Sequence, residues 1–210
     1  MTSPPAAAEA AAEAAGEAPA GAAAPRRPRK IFLLIGTVLA AALAVGLFTG
    51  VGTRSSSSGP PRAGDRAPTF SLPAVGGSGT VGTPGTGGGN GTPAVLLFFG
   101  NWCPQCHAEL PGLAAAVRAQ QRQGGPLAKL AVIGVDSLDH RSDALAFTRS
   151  SGVTFPVAFD PVAAVTNGLY YFTGDPEAVF VAGDGTITAV RYGPLAPATF
   201  TQLERRLVST

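Results

Sequence analysis

Scarcity is the first feature of this chain. Its 210 residues include two cysteines, two histidines, one methionine and one tryptophan. Two cysteines permit a single disulfide and exclude a scaffold held by several. Cys103, Cys106, His107 and His140 could on paper supply four metal ligands. A zinc framework would need a second cysteine pair, however, and adjacent Cys106 and His107 point different ways on a helix. Charge is also sparse, at 13% of residues, and residues 62–210 carry ten basic and ten acidic side chains. That balance excludes the basic face required by nucleic acid. The net charge of +2 therefore belongs to the segment before residue 62.

Residues 1–30 divide into an Ala/Pro/Gly/Glu-rich tail and a basic cluster, Arg26-Arg27-Pro28-Arg29-Lys30. The tail has no large apolar residue to bury and is expected to be a disordered cytoplasmic segment. Residues 31–53, Ile31 to Thr53, form an unbroken uncharged run. At roughly 1.5 Å per residue, the run matches a hydrocarbon layer of roughly 30 Å. It is too long for the apolar part of a cleaved signal peptide and lacks an A-x-A-like site after it. No cysteine lies near it to take a lipid. The expectation is a transmembrane signal anchor in the cell membrane, basic side in the cytoplasm and the C-terminal part outside. Residues 54–61 (RSSSSGPP) read as a flexible linker, and 62–210 as the folded domain.

Within that domain, Ala94–Phe99 (AVLLFF) reads as a buried central strand. A helix is expected over 108–123, with Pro104 tolerated in its first turn and Pro111 kinking its interior. A second buried strand is expected at 130–135, a helix at 139–151 and an extended piece at 153–159. A short helix follows at 163–171, then a hairpin from 178–182 and 187–192, and a final helix over 197–208. Strands alternating with helices imply a mixed sheet covered on both faces. The glycine-rich stretch 76–92 reads as a mobile loop or loose hairpin.

Cys103-Pro104-Gln105-Cys106-His107 admits two chemistries. As C-x-x-C-H it is a haem attachment motif, with His107 as one axial ligand and His140 or another group as the second, since the only methionine is Met1. As C-x-x-C it is a dithiol redox pair. The position between a buried strand and a helix favours the second. Cys103 lies just ahead of the helix, where free amides and the helix dipole stabilise a thiolate; Cys106 lies one turn in. A structural disulfide across three residues would constrain the unfolded chain little, so the spacing suits exchange.

Five stretches, in order, give residues 62–210 a resemblance to the membrane-anchored, thioredoxin-like TlpA/ResA/DsbE (CcmG) family. They are GDRAPTFSLP (64–73), FFGNWCPQCHAELP (98–111), GVTFPV (152–157) with Asp160, GDPEAVFV (174–181) and GDGTI…RYG (183–193). The resemblance implies a thioredoxin-like α/β fold with a mixed central sheet flanked by helices. It makes Cys103 the nucleophile and Cys106 the resolving thiol, and places a cis proline at Pro176. It gives Glu109 a role in moving the Cys106 proton, and Trp102 a role in shielding Cys103 and presenting a flat contact surface. Leu97 stands where thioredoxin has a buried acid. Asp175 and Glu177 depart from a neutral setting and would shape docking. The implied activity is reduction of protein disulfides such as those of apocytochrome c, with electrons from a CcdA/DsbD-like membrane protein and no cofactor. Rival readings are a disulfide-forming oxidase, a peroxiredoxin-like peroxidase suggested by the A-P-x-F stretch, and a non-enzymatic client-binding module.

Overall fold

The run Ala94–Phe99 has six apolar side chains and no polar atom to satisfy beyond its backbone, so it can be buried on both sides only as the middle of a sheet. In the computed structural model, which describes residues 59–84 and 91–209, it is that middle strand. The expected tail, the apolar run 31–53, linker residues 54–58 and residues 85–90 of the glycine-rich stretch lie outside the described residues.

A small antiparallel hairpin comes first, β1 (Ser71–Pro73) with β2 (Thr80–Gly82). Part of the glycine-rich stretch therefore forms its turn and second strand. The main sheet contains β3 (Ala94–Phe99), β4 (Ala131–Ser137), β5 (Val157–Asp160), β6 (Glu177–Val181) and β7 (Ile187–Tyr192), in the order β5-β4-β3-β6-β7. The β3 pairings with β4 and of β4 with β5 are parallel; β6 and β7 run antiparallel. The helices are α1 (Pro104–Gln123), α2 (Arg141–Ser150) and α3 (Pro197–Val208), with a 3₁₀ turn at Leu127–Lys129. α1 begins earlier than the helix formers alone suggested and runs on through Pro111.

Two consecutive parallel steps, β3-α1-β4 and β4-α2-β5, move in the same direction across the sheet. Right-handed crossovers then put both helices on one face. α3 joins them, and Val95, Leu97 and Phe99 pack with Leu110, Leu113, Phe147, Phe200 and Leu203 in one core. The opposite side chains of β3, Leu96 and Phe98, face a second core with Val165, Tyr170 and Phe172. Phe98 meets Tyr170 and Phe172 at ring distances of 4.9 Å each. Each buried side chain of this size contributes about 1.5–3 kcal/mol.

The sheet is thus covered on both faces, but the second cover is not helical. The short helix expected at 163–171 does not form; the segment is a series of turns. The Asp160 carboxylate accepts the Val165 N–H (3.1 Å), the Thr166 N–H (2.8 Å) and the Thr166 hydroxyl (2.9 Å). Those amides would be free in the first turn of a helix, so this contact does not prevent one. The backbone does, because Ala163 takes φ 52° and the carbonyls of Ala163 and Val165 each collect two amides, those of Asn167 and Gly168 and of Leu169 and Tyr170, in place of a regular ladder. The A-P-x-F stretch helps close the same face, with the Tyr170 hydroxyl donating to the Pro68 carbonyl at 2.8 Å.

Register brings the chemistry to one edge. Phe99, the last residue of β3, lies opposite Asp136 of β4, and Phe98 lies opposite Glu177 at the start of β6. The Cys103 loop leaves the sheet at this same edge.

Candidate active site

Cys103 is the cap residue of α1. Its backbone is extended (φ −92°, ψ 109°), and its Sγ accepts the Cys106 amide N–H at 3.1 Å. Pro104 follows at the first helical position, where a missing N–H costs nothing. Cys103 and Cys106 are joined as a disulfide with Cα atoms 5.3 Å apart, and each residue is 1% exposed. Charge on Cys103 Sγ would be met by an amide aimed at it and by the positive end of a 20-residue helix.

The Asp175–Pro176 peptide is cis. The Asp175 carbonyl lies 3.3 Å from Cys103 Sγ, within reach of a thiol proton once the pair is reduced. Pro176 lines a cavity of about 10 Å³ with Leu97, Cys106, Glu109 and Glu177. That volume is roughly what a single water occupies. The acid that Leu97 does not supply is therefore offered to the same space by α1 and β6.

Glu109 is half-buried, and its Oε2 accepts the Leu195 N–H at 2.9 Å. Burial raises its carboxyl to about 6, against the smaller opposing effect of that amide. A carboxyl balanced there can take up or return a proton near neutral pH. Trp102 is 47% exposed, and its indole N–H donates to the Ser137 carbonyl at 2.9 Å. The ring lies beside the dithiol loop with a free face toward solvent. Gly100 is required by this arrangement, since a Cβ there would strike the Trp102 indole and the Ser137 carbonyl. His107 sits on the outer side of α1, its Nε2 2.7 Å from the Asn101 carbonyl and its ring 4.4 Å from that of Phe147.

Sequence reasoning gave Asp136 no role and gave Asp175 and Glu177 only one in docking. Asp136 is fully buried and pushed up to about 8 by burial and by the nearby Asp139 and Asp175. Asp175 accepts a hydrogen bond from the Ser137 hydroxyl at 3.0 Å. Glu177, read from the sequence as a charge that would shape docking, is buried and raised to about 9 by desolvation and by Asp175. A signal was present: Glu177 opens one mostly apolar strand and Asp136 is next to last in another, at the edge where the cysteine loop departs. Among the described residues, no group of three or more His, Cys, Asp or Glu could hold a metal ion.

This arrangement can carry thiol–disulfide exchange. It has a stabilised attacking sulfur, a second sulfur in bonding reach, an acceptor beside the first, and a proton-active carboxyl on the side of the second.

A family model described as the AhpC/TSA family matches residues 63–190. The chain is 33% identical over 125 residues to a thiol:disulfide interchange protein DsbE homolog of Paracoccus denitrificans, covering 56% of this chain and 64% of that protein. It is 24% identical over 170 residues to the thiol-disulfide oxidoreductase ResA of Oceanobacillus iheyensis, covering 81% and 85% of the two chains. A Chlorobium tepidum structure assigned as a DsbE thiol:disulfide interchange protein superposes with a TM-score of 0.58 at 25% identity, over 70% of this chain and 99% of that one. The fold is thioredoxin-like.

Proposed function

Since the chain belongs to the AhpC/TSA family, we propose that it is a thiol–disulfide oxidoreductase acting on protein disulfides outside the cytoplasm. The observation that supports this most is Cys103 at the head of α1, with the Cys106 amide on its sulfur and the Asp175 carbonyl 3.3 Å away. The DsbE and ResA names of its relatives agree with it.

In the reducing direction, the Cys103 thiolate attacks one sulfur of a client disulfide. A mixed disulfide forms and one client thiolate leaves. Cys106, having lost its proton toward Glu109, then attacks Cys103 Sγ and expels the second client thiolate. Two electrons pass to the client, and Cys103–Cys106 is left as the disulfide. Exposed Trp102 and Leu138, the residue after Ser137, give an unfolded client an apolar contact beside the sulfurs. The apolar run 31–53 would tether the domain to the membrane, where a CcdA/DsbD-like protein would return the electrons and apocytochrome c is a fitting client. The A-P-x-F stretch that suggested a peroxidase has a packing role on the far face of the sheet.

The test is a redox equilibration of the full chain together with a trapping experiment. The reductase reading expects a potential near thioredoxin's, about −270 mV; a value near about −120 mV would make the protein an oxidant instead. A Cys106→Ser variant should accumulate mixed disulfides through Cys103. No mixed disulfide, or porphyrin bonded to both sulfurs, would overturn the exchange reading.

A further inference from the structure

The edge of the sheet at the dithiol holds more buried acid than a two-thiol exchange requires. β4 ends in Asp136-Ser137, and Leu138-Asp139 follow. This short stretch holds the chain that leads into Cys103 at two points. The Ser137 carbonyl takes the Trp102 indole N–H at 2.9 Å, and Asp139 Oδ2 takes the Asn101 amide N–H at 2.6 Å. Ser137 also reaches the other loop of the site, its hydroxyl donating to Asp175.

Behind these contacts sits Asp136, 0% exposed, with neither carboxyl oxygen partnered by a donor. Asp139 and Asp175 both act on it electrostatically, Asp139 the more strongly. Two ionised carboxylates cannot share such a site, because neither has a proton to donate and desolvation leaves their repulsion poorly screened. One proton resolves the conflict. A neutral Asp136 would have a proton to donate to Asp139, leaving Asp139 an oxygen for the Asn101 amide.

We propose that Asp136 is a positioning residue for the dithiol: while neutral, it anchors Asp139, and through it the Asn101–Trp102 segment that carries Cys103; when ionised, it releases that segment. The proposal rests on reading Cys103–Cys106 as the exchanging pair. The groups facing this network are acidic on three sides. Asp139 comes from the β4–α2 loop, Asp175 and Glu177 from the start of β6, and Asp160 from β5, which acts on Asp175. From α1, His107 touches the same segment at the Asn101 carbonyl, and Glu109 lies by Cys106. Burial and the two neighbouring acids put the Asp136 transition at about 8.

The single tryptophan of the chain is Trp102, so its emission reports on this segment alone. The experiment titrates the fluorescence of the full-length protein in its disulfide form from about pH 6 to 9.5, where no thiol of the pair can titrate. The expected result is a transition centred about pH 8, present in the wild type, in His107→Gln and in Glu177→Gln, which removes the other acid raised into this interval. It should be absent in Asp136→Asn, which keeps the acid-side emission throughout because an amide is a permanent neutral donor. The rate at which dithiothreitol reduces the pair, corrected for ionisation of the reagent, should change over the same interval in the wild type and not in Asp136→Asn. A flat wild-type titration overturns the proposal, as does a transition that survives in Asp136→Asn. The fluorescence arm uses no client. Its failure leaves the exchange reading standing, and a failure to trap clients leaves this titration unaffected.

Discussion

The two ends of α1 each bury polar groups, and they do so differently. At the start of the helix, Cys103 accepts an amide, and the acids nearby have mainly one another for company. Near its end, Gln120 donates to Glu204 of α3 at 2.6 Å and lies 3.4 Å from the Thr201 hydroxyl. Glu204 is fully buried and raised to about 7 by burial, opposed by its Gln120 bond. A raised acid is therefore no mark of a functional site by itself. Glu204 has a neutral amide donor that suits either protonation state, so its contact joins two helices. The groups around Cys103 include sulfurs that must change charge and acids that must share protons. Damage at the first end should alter chemistry with the fold intact; damage at the second should alter stability with the chemistry intact.

The largest expected effect is that of Cys103→Ser. Exchange with a disulfide peptide should fall to background, because hydroxyl oxygen neither forms the mixed disulfide nor leaves from it. The melting temperature should stay close to that of the reduced wild type, since the side chain keeps its size and place at the helix cap. A large loss of stability would erase the proposed division between the ends. Next in size is Glu109→Gln. If the carboxyl handles the Cys106 proton, resolution of the mixed disulfide should slow by roughly 100-fold above pH 6. Below that pH the difference should shrink, because the wild-type carboxyl is then protonated too. Rapid-quench measurement of mixed-disulfide decay against pH reads both. An equal slowing at every pH would make Glu109 a packing residue tied to Leu195.

Much of this was legible before any coordinates. β3 and β6 stood out as short unbroken apolar runs between turn residues, which only a doubly covered sheet can bury, and α3 by apolar residues that return to one face. Cys103 and Cys106 were singled out by their C-x-x-C spacing and Glu109 by the resemblance; the structure sets all three in the first turns of one helix or at its cap. The segment 163–171 misled because its helix formers are real, while left-handed backbone at Ala163 and Tyr171 and paired amides on the Ala163 and Val165 carbonyls, which composition does not signal, break the ladder. Asp136 was invisible for another reason. It lies far along the chain from Cys103, and only the parallel register that sets it opposite Phe99 brings it to the site. Glu177 was seen, but only as a charge that would shape docking; the strand it opens is buried throughout, which puts its carboxyl inside.

The smallest effects belong to the far end of α1, and they test the comparison most closely. Gln120→Ala removes the donor to Glu204 and should cost about 1–3 kcal/mol in urea unfolding, the usual penalty for stranding a buried acceptor. Exchange kinetics should be unchanged. Glu204→Gln asks a finer question through pH. The folded carboxyl binds its proton up to about 7, whereas the unfolded one releases it near 4.5. Between these values the native state holds the extra proton, so the stability contributed by protonated Glu204 is full below pH 4.5 and is lost as pH rises through 7. The Gln variant, neutral at every pH, should lack that decline and be more stable than the wild type at pH 8. Asp136→Asn should remove a second decline, one that runs on to about pH 8. It should also abolish the pH-dependent change in Trp102 emission, which Glu204→Gln should leave in place. Were both variants to flatten the stability curve and neither to touch Trp102, the acids at the two ends would be doing the same structural job, and the distinction between them would be lost.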